Sequence, residues 1–279
     1  MIAPESILSI WKKFDGFPME TLTKAWFYGK AGSKKQRDVS LMKEQHNQYG
    51  ITGNCFDLAI WLLHELTQAG IEAYPVGHQL QTPSAHAAVA AVDDNGSRFL
   101  CDLGDQWLQP ILIDPDSEEF TSEKLSGFFP AADIQVESKG NQLKITYHRP
   151  NGKISQQTYD TSKIDMNTFL QAAENSQNNI NPRPLLEQRV PYKNETAHWE
   201  FYNWKSFMST SEGLFNDKPA GSIEEWAFRI HERTGYDHQF LIESLGIYKK
   251  LADGAKGLSV FPAFCNKRGF SFITLENSL

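Results

Sequence analysis

Cys55 stands where a helix is predicted to begin, and a cysteine at that point can act as a nucleophile. Gly53-Asn54 indicates a turn into an N-cap, and Asp57 follows three residues later, as in a capping box. Apolar residues then recur at helical spacing as far as Gly70, which is typical of a residue just past a helix end. Because first-turn N–H groups and the helix dipole favour thiolate over thiol, the sequence predicts a nucleophile at Cys55.

A predicted β-hairpin further along the chain offers a base and a carboxylate. Its first strand, Ser84 to Asp93, contains His86, and its returning strand, Ser97 to Leu103, contains Asp102. Between them lies Asp94-Asn95-Gly96, a strong turn signal. A histidine and an aspartate on neighbouring strands are the residue types that activate a nucleophile in a catalytic triad.

The length of this turn decides whether the two side chains meet. A three-residue loop with Gly96 in the left-handed conformation places Ala88 opposite Asp102. His86 and Asp102 then share one face of the hairpin as diagonal neighbours, whereas a two-residue loop would put them on opposite faces. Each residue alone has a purely structural explanation, but the three together favour the triad Cys55, His86 and Asp102. His78, at the end of the preceding strand, is the competing candidate for the base.

The same residues form a pattern that resembles the core of the arylamine N-acetyltransferases. The pattern consists of Gly53-Asn54-Cys55-Phe56-Asp57, His86 and Phe99-Leu100-Cys101-Asp102-Leu103-Gly104. Two flanking stretches, Pro18–Lys24 and Asp105–Ile111, are similar to the family's N-terminal Pro-x-Glu-Asn-Leu segment and to the stretch after its aspartate. The resemblance covers about residues 17 to 113.

The resemblance implies an α+β fold with a cysteine-proteinase-like core and three parts. Residues 1–70 would form a helical part with the nucleophile helix, residues 71–175 an antiparallel β-barrel-like part, and residues 176–279 a C-terminal α/β lid. It also implies an acyltransferase that moves an acetyl group from acetyl-CoA, through a Cys55 thioester, to an arylamine, hydrazine or related amine. Acetyl-CoA would be a co-substrate rather than a permanently bound cofactor, and N–H groups at the helix start would hold the oxyanion.

Three departures from the family pattern lie close to the predicted site. Ile51 stands where the family has an arginine, and Ala59 stands where it has an asparagine. The family's Gly-Phe-Gly after the aspartate is reduced to Gly104-Asp105, without the phenylalanine. These changes are expected to remove polar support and one aromatic wall, and therefore to weaken selectivity for flat aromatic amines more than acetyl transfer itself.

Two other functions are compatible with the same Cys-His-Asp order. One is a transglutaminase-like cysteine amidase or acyltransferase. Ala59 and the Gly70-Ile71-Glu72-Ala73 run are closer to that pattern, but such enzymes usually place an aromatic residue where this chain has Ala87. The other is a catalytically weak binding protein of the same fold, which the missing arginine and asparagine would permit.

Composition excludes several classes of protein. The 279-residue chain is 40% hydrophobic and 22% charged, which is ordinary for a globular protein. A net charge of −7 argues against a nucleic-acid partner. Three widely spaced cysteines, of which Cys101 and Cys265 are predicted to be packing residues, form neither a disulfide framework nor a zinc site, so no metal is predicted. With no signal peptide or membrane-length run, the expected location is the cytoplasm.

The remaining chain is predicted from periodicity and turn signals. A second hairpin is expected from Gln142 to His148 and from Ile154 to Tyr159, around Pro150-Asn151-Gly152. The polar stretch Gly29 to Tyr49, with its Lys34-Lys35-Gln36-Arg37 run, is predicted to be a solvated loop. The aromatic cluster between Trp199 and Phe207 is predicted to pack in a core or between domains. Further helices are expected at Ser6–Phe14, Met19–Phe27, Ser162–Asn175, Ser222–Arg233 and Phe240–Leu251.

Overall fold

A computed structural model describes residues 1–256 of the chain. Its α-helices are α1 (Glu5–Trp11), α2 (Leu22–Tyr28), α3 (Val39–Tyr49), α4 (Cys55–Gln68), α5 (Met166–Asn178), α6 (Ile223–Thr234) and α7 (His238–Lys256). Its strands are β1 (Met19–Glu20), β2 (Ala73–His78), β3 (His86–Val92), β4 (Arg98–Cys101), β5 (Ile111–Leu112), β6 (Leu125–Phe129), β7 (Ala132–Lys139), β8 (Gln142–His148), β9 (Ile154–Asp160), β10 (Leu185–Tyr192), β11 (Glu195–Tyr202), β12 (Lys205–Thr210) and β13 (Gly213–Asn216). Within the described part, no helix is both long and apolar enough to cross a bilayer.

The larger sheet is antiparallel and has eight strands in the order β5-β4-β3-β2-β9-β8-β7-β6. Hairpins connect most neighbours, and the β2–β9 pairing joins the two groups of strands. One hydrophobic core lies between this sheet and helices α1, α4 and α5, and it includes the fully buried Phe56 and Phe169. Helix α4, which begins at Cys55, therefore rests directly on the sheet that carries His86.

The second sheet has the order β1-β10-β11-β12-β13 and is also antiparallel. Its first strand comes from the N-terminal region, and Met19 lies opposite Glu187 of β10. A second core packs this sheet against α2, α6 and α7. Trp199, Phe201 and Phe207 belong to it or are buried beside it, so the prediction that the aromatic cluster packs is confirmed. Cys265 lies outside the described residues.

Both predicted hairpins are confirmed, with β3–β4 and β8–β9 at the expected places. The helix predicted from Met19 is wrong at its start, because Met19 and Glu20 pair with β10 as a short strand before α2 begins at Leu22. Backbone pairing with a distant segment decided the conformation there, and periodicity along the chain carries no information on such a partner.

The prediction of a solvated loop from Gly29 to Tyr49 is wrong from Gln36 onward, where two buried side chains are followed by helix α3. Asp38 caps α3 by accepting a hydrogen bond from the Leu41 N–H, and Gly50, with a φ of 74°, ends the helix in the left-handed conformation. Just before this helix, Gln36 and Arg37 are 4% and 3% exposed. A basic run that was expected in solvent therefore sends two side chains into the interior.

Candidate active site

The turn before Cys55 has the predicted capping geometry. Asn54 Oδ1 accepts hydrogen bonds from the N–H groups of Phe56 (2.9 Å) and Asp57 (3.1 Å), and Asp57 Oδ2 accepts one from the Asn54 N–H (3.1 Å). This reciprocal capping box fixes the first residue of α4 as Cys55. The thiol therefore lies at the positive end of the helix, while the cap uses the N–H groups of Phe56 and Asp57.

The β3–β4 hairpin has the register that brings His86 and Asp102 together. Val89 lies opposite Cys101, which places Ala88 opposite Asp102 in the same register. His86 Nε2 donates to Asp102 Oδ2 at 2.6 Å, and the two residues are 3% and 0% exposed. Because Asp102 engages Nε2, the second ring nitrogen, Nδ1, is the one left to exchange a proton with a nucleophile.

Two further groups hold the Asp102 carboxylate. The Tyr159 hydroxyl donates to Oδ2 at 2.6 Å, and the Asp105 N–H donates to Oδ1 at 2.9 Å. Burial raises the pKa of Asp102, but the His86 charge and these hydrogen bonds outweigh it, and the pKa is lowered. Tyr159 was not predicted to be at the site. Its strand could be read from the sequence, but nothing in the sequence places β9 beside β2.

Cys55 completes the group on the other side of the His86 ring. Burial alone would lower the pKa of His86, but the Asp102 carboxylate and a hydrogen bond to Cys55 raise it to about 10. Gly104 allows this close approach, because a Cβ there would lie 2.5 Å from the Cβ of Cys55 and 3.1 Å from Cε1 of His86. His78, the competing base, lies opposite His86 across the β2–β3 pair, with the two rings 5.7 Å apart.

A buried arginine supports the turn before Cys55 from an unexpected part of the sequence. Arg37 donates to the Thr52 carbonyl at 2.5 Å, pairs with Asp57 Oδ2 at 3.2 Å and donates to Gln45 Oε1 at 2.9 Å. The expected loss of polar support at Ile51 is therefore wrong, because a guanidinium from outside the resembling motif reaches the same turn. Ile51 itself is fully buried in the second core.

Two amide side chains complete the network around the Asp57 carboxylate. Gln36 donates to Oδ1 at 2.9 Å, and Gln177, from the distant helix α5, donates to Oδ2 at 3.1 Å. Gln177 also donates to Gln36 Oε1 at 3.0 Å. Asp57 is thus the shared acceptor of a buried network that joins two separate chain segments, Gln36–Arg37 and α5, to the first turn of α4.

The segment that leads into α2 packs against the same turn. The Glu20 N–H donates to the Gly53 carbonyl at 2.9 Å, and the Thr52 hydroxyl donates to the Pro18 carbonyl at 2.7 Å. Glu20 is fully buried and accepts hydrogen bonds from the N–H (2.7 Å) and the hydroxyl (2.5 Å) of Thr23. Burial raises its pKa to about 7, although the bonds to Thr23 oppose the shift.

One group of side chains in the described part could hold a metal ion, although none was predicted. Ligand atoms of Glu187, His198 and Glu200 lie within 4.8 Å of one another, and all three residues are buried. They meet across the β10–β11 pair, so the spacing along the chain gives no signal. Burial lowers the pKa of Arg149, and the negative charges of Asp105, Tyr147, Glu200 and Glu187 oppose that shift only in part.

No protein-family model and no curated protein matches the sequence. Solved structures with a similar fold include the arylamine N-acetyltransferase from Salmonella typhimurium, at 12% identity and a TM-score of 0.63, covering 84% of this chain and 86% of that one. The Nocardia farcinica enzyme has 14% identity and a TM-score of 0.66, covering 86% of this chain and 86% of that one. The Mycobacterium marinum enzyme in complex with CoA has 10% identity and a TM-score of 0.60, covering 84% of this chain and 88% of that one. The chain therefore has the fold of the arylamine N-acetyltransferases.

Proposed function

We propose that the protein is an acetyltransferase that carries an acetyl group from acetyl-CoA to a small amine through a thioester on Cys55. The observation that carries the proposal is the buried His86–Asp102 pair, 2.6 Å apart, with Cys55 at a helix start on the other side of the imidazole. CoA in the Mycobacterium marinum structure supports a CoA-derived co-substrate. The fold similarity supports the same class of reaction.

In the first half-reaction the Cys55 thiolate attacks the thioester carbonyl of acetyl-CoA. A new S–C bond forms, the bond to the CoA sulfur breaks, and protonated His86 gives its proton to the leaving thiolate. The Asp102 carboxylate keeps the imidazole oriented and stabilises its charge until that proton leaves. The N–H of Cys55, at the positive end of α4, is the candidate donor to the oxyanion of the tetrahedral intermediate.

In the second half-reaction an amine attacks the acetyl group on Cys55. Neutral His86 accepts the proton of the amine as the N–C bond forms and the S–C bond breaks, which restores the thiolate–imidazolium pair. The segment after Gly104 is polar here, because the Tyr147 hydroxyl donates to Asp105 Oδ2 at 2.6 Å. We expect weak or unusual preference among standard arylamines and hydrazines, since the family's phenylalanine would lie in this segment.

The test is intact-mass measurement after mixing the protein with acetyl-CoA. The expected result is one added acetyl group that maps to Cys55 and is absent in Cys55→Ala. Cys101→Ala is the matched control, because Cys101 is buried among apolar residues and burial raises the pKa of its thiol, so its removal should leave the acetyl group in place. Steady-state rates with acetyl-CoA and an amine should give parallel double-reciprocal lines.

Other outcomes would point to the rival functions. Intersecting lines, or turnover that survives in Cys55→Ala, would indicate direct transfer without a thioester. A protein that gains no acetyl group but exchanges amines into glutamine side chains would be transglutaminase-like. A protein that does neither would fit a binding protein of the same fold.

A further inference from the structure

Two carboxylates and an imidazole meet on one face of the second sheet. Glu187 of β10 lies directly opposite Glu200 of β11, and His198 lies two residues before Glu200 on the same strand. Because side chains alternate along a strand, all three point to the same face of the sheet. Their ligand atoms, one from each residue, lie within 4.8 Å of one another, and all three residues are buried.

This cluster lies between the two sheets rather than at the surface. The alternate residues of β11, which are Ala197, Trp199 and Phe201, belong to the second core on the opposite face. On the cluster's own face, the ring centroid of His198 lies 6.4 Å from that of Phe129, which belongs to β6 of the larger sheet. The imidazole is therefore held at a buried junction between the sheets.

Two buried carboxylates at directly opposed positions need a positive charge between them. Like charges opposite each other across a strand pair are destabilising, and burial removes the water that would screen them. A proton shared by Glu187 and Glu200 would relieve the repulsion, but it makes no use of the imidazole of His198. A divalent metal ion uses all three groups, because histidine nitrogen and carboxylate oxygen are both ligands of zinc.

We propose that Glu187, His198 and Glu200 bind a zinc ion at this junction. Zinc forms bonds of about 2.0–2.2 Å to such ligands, so a tetrahedral site places its ligand atoms about 3.4 Å apart. The three atoms already lie within 4.8 Å, and rotations of the side chains can close the remaining distance while the backbone pairing is kept. Calcium and magnesium fit this set less well, because both prefer oxygen ligands alone. The site does not depend on the proposed acetyl transfer.

Arg149 is the cation of the chain that competes for the same carboxylates. Its charge interacts with those of Glu200 and Glu187, and its Nη1 donates to Ser155 Oγ of β9 at 2.6 Å. If Arg149 neutralised the two carboxylates by itself, zinc would gain little from entering the site. Direct measurement of zinc uptake therefore separates the two arrangements.

The test measures zinc uptake by the full chain carrying Cys55→Ala, which removes the reactive thiol as a competing ligand. This parent protein is stripped of metal with a chelator and dialysed against zinc, and the bound metal is measured by atomic emission. We expect one zinc ion per chain. The urea concentration at the unfolding midpoint should rise with zinc concentration, because an ion that binds only the folded chain stabilises it.

Substitution of each ligand by glutamine should remove the ion. We expect Glu187→Gln, Glu200→Gln and His198→Gln each to weaken zinc binding by about 100-fold or more, because even residues that only orient a metal ligand contribute about 10- to 100-fold. Glu118→Gln and His238→Gln, at exposed positions, are the matched controls and should bind zinc as the parent does. A ligand variant that unfolds at the parent's urea concentration without zinc is folded, so its loss of zinc is the loss of a ligand.

The cobalt-substituted parent tests the ligand set without any ligand substitution, even if a variant fails to fold. We expect a cobalt absorption spectrum without a thiolate charge-transfer band, whereas such a band would place the metal on a cysteine and overturn the site. Zinc retained in all three ligand variants would place the ion elsewhere. Calcium bound as tightly as zinc, and unaffected by His198→Gln, would contradict the imidazole ligand. No zinc uptake at all would mean that Arg149 or a shared proton neutralises the carboxylates, and would refute the proposal.

Discussion

The hairpin that carries His86 and Asp102 is held by its own backbone pairing, whereas the turn before Cys55 is held by side chains from distant segments. On the hairpin side, a single register sets the 2.6 Å contact between the two residues. On the cysteine side, Arg37 and Gln177 reach the turn from before α3 and from α5. The two halves of the site should therefore fail in different ways when they are mutated.

Damage to the hairpin side should reduce chemistry without unfolding the protein, because backbone pairing survives a side-chain change. Damage to the cysteine side should reduce stability as well, because the network around Asp57 is buried and charged. Measuring activity and the free energy of unfolding on the same variants is the way to separate the two.

The largest expected effect on activity is that of Asp102→Asn. The amide no longer stabilises protonated His86, so the acetylation rate of Cys55 should fall by about 10³-fold or more. The free energy of unfolding in urea should change far less. Asp94→Asn, an exposed residue in the turn of the same hairpin, is the control and should keep the wild-type rate. Equal rates in the two variants would contradict the role given to Asp102.

On the cysteine side, Arg37→Met should be the most destabilising change. It leaves the buried Asp57 carboxylate without its cation, and we expect the free energy of unfolding in urea to fall by about 4 kcal/mol. Lys34→Met, an exposed member of the same basic run, should change it by less than about 0.5 kcal/mol. If both variants unfold at the same urea concentration, Arg37 does not stabilise the turn before Cys55.

Gly104→Ala tests the point at which the two halves meet. The added Cβ would lie 2.5 Å from the Cβ of Cys55, so the thiol and the imidazole must move apart. We expect a loss of about 10²-fold in the acetylation rate, because a displacement of this size removes the alignment of the reacting groups. Gly16→Ala meets nothing within 4 Å and should keep the wild-type rate. A fully active Gly104→Ala would show that the close approach is not needed.

The smallest expected effect concerns the pH dependence of stability. Glu20 has a pKa of about 7 in the fold, above its ordinary value of 4.5, so the folded chain binds this proton more tightly than the unfolded chain. Its contribution to the free energy of unfolding is therefore present at low pH and is lost as the pH rises. We expect the free energy of unfolding to fall by about 2 kcal/mol between about pH 5 and about pH 7. Glu20→Gln should remove this slope, and the exposed control Glu44→Gln should retain it. Equal slopes in both variants would contradict the protonation assigned to Glu20.

The part of the site that depends on local signals could be predicted from the sequence. The capping pattern around Asn54 gave the start of the cysteine helix, and the turn at Gly96 gave the register that joins His86 to Asp102. The roles of these residues in catalysis stay predictions, as do the domain boundaries at residues 70 and 175. The barrel-like sheet was implied by the resemblance, and the packing of the aromatic cluster was predicted from its density of aromatic residues; both are present.

The supporting residues could not be predicted in the same way. Arg37 lies in a basic run that is typical of a solvated loop, and its burial depends on Asp57 and the Thr52 carbonyl, which are distant in sequence. The same holds for Gln177, which lies in α5 beyond Asn175, the predicted end of that helix. Their contacts are set by tertiary packing, and neither periodicity nor turn chemistry reports on it.

The central claim is that Cys55 is a thiolate paired with His86, and the pH dependence of its alkylation tests this most directly. The rate of iodoacetamide modification at Cys55, mapped by mass spectrometry in Cys101→Ala, should be nearly constant between about pH 6 and about pH 9. In His86→Ala the rate should instead rise with pH through a midpoint near 8.5, about the ordinary pKa of a thiol. A wild-type profile with that ordinary midpoint would contradict the thiolate–imidazolium pair.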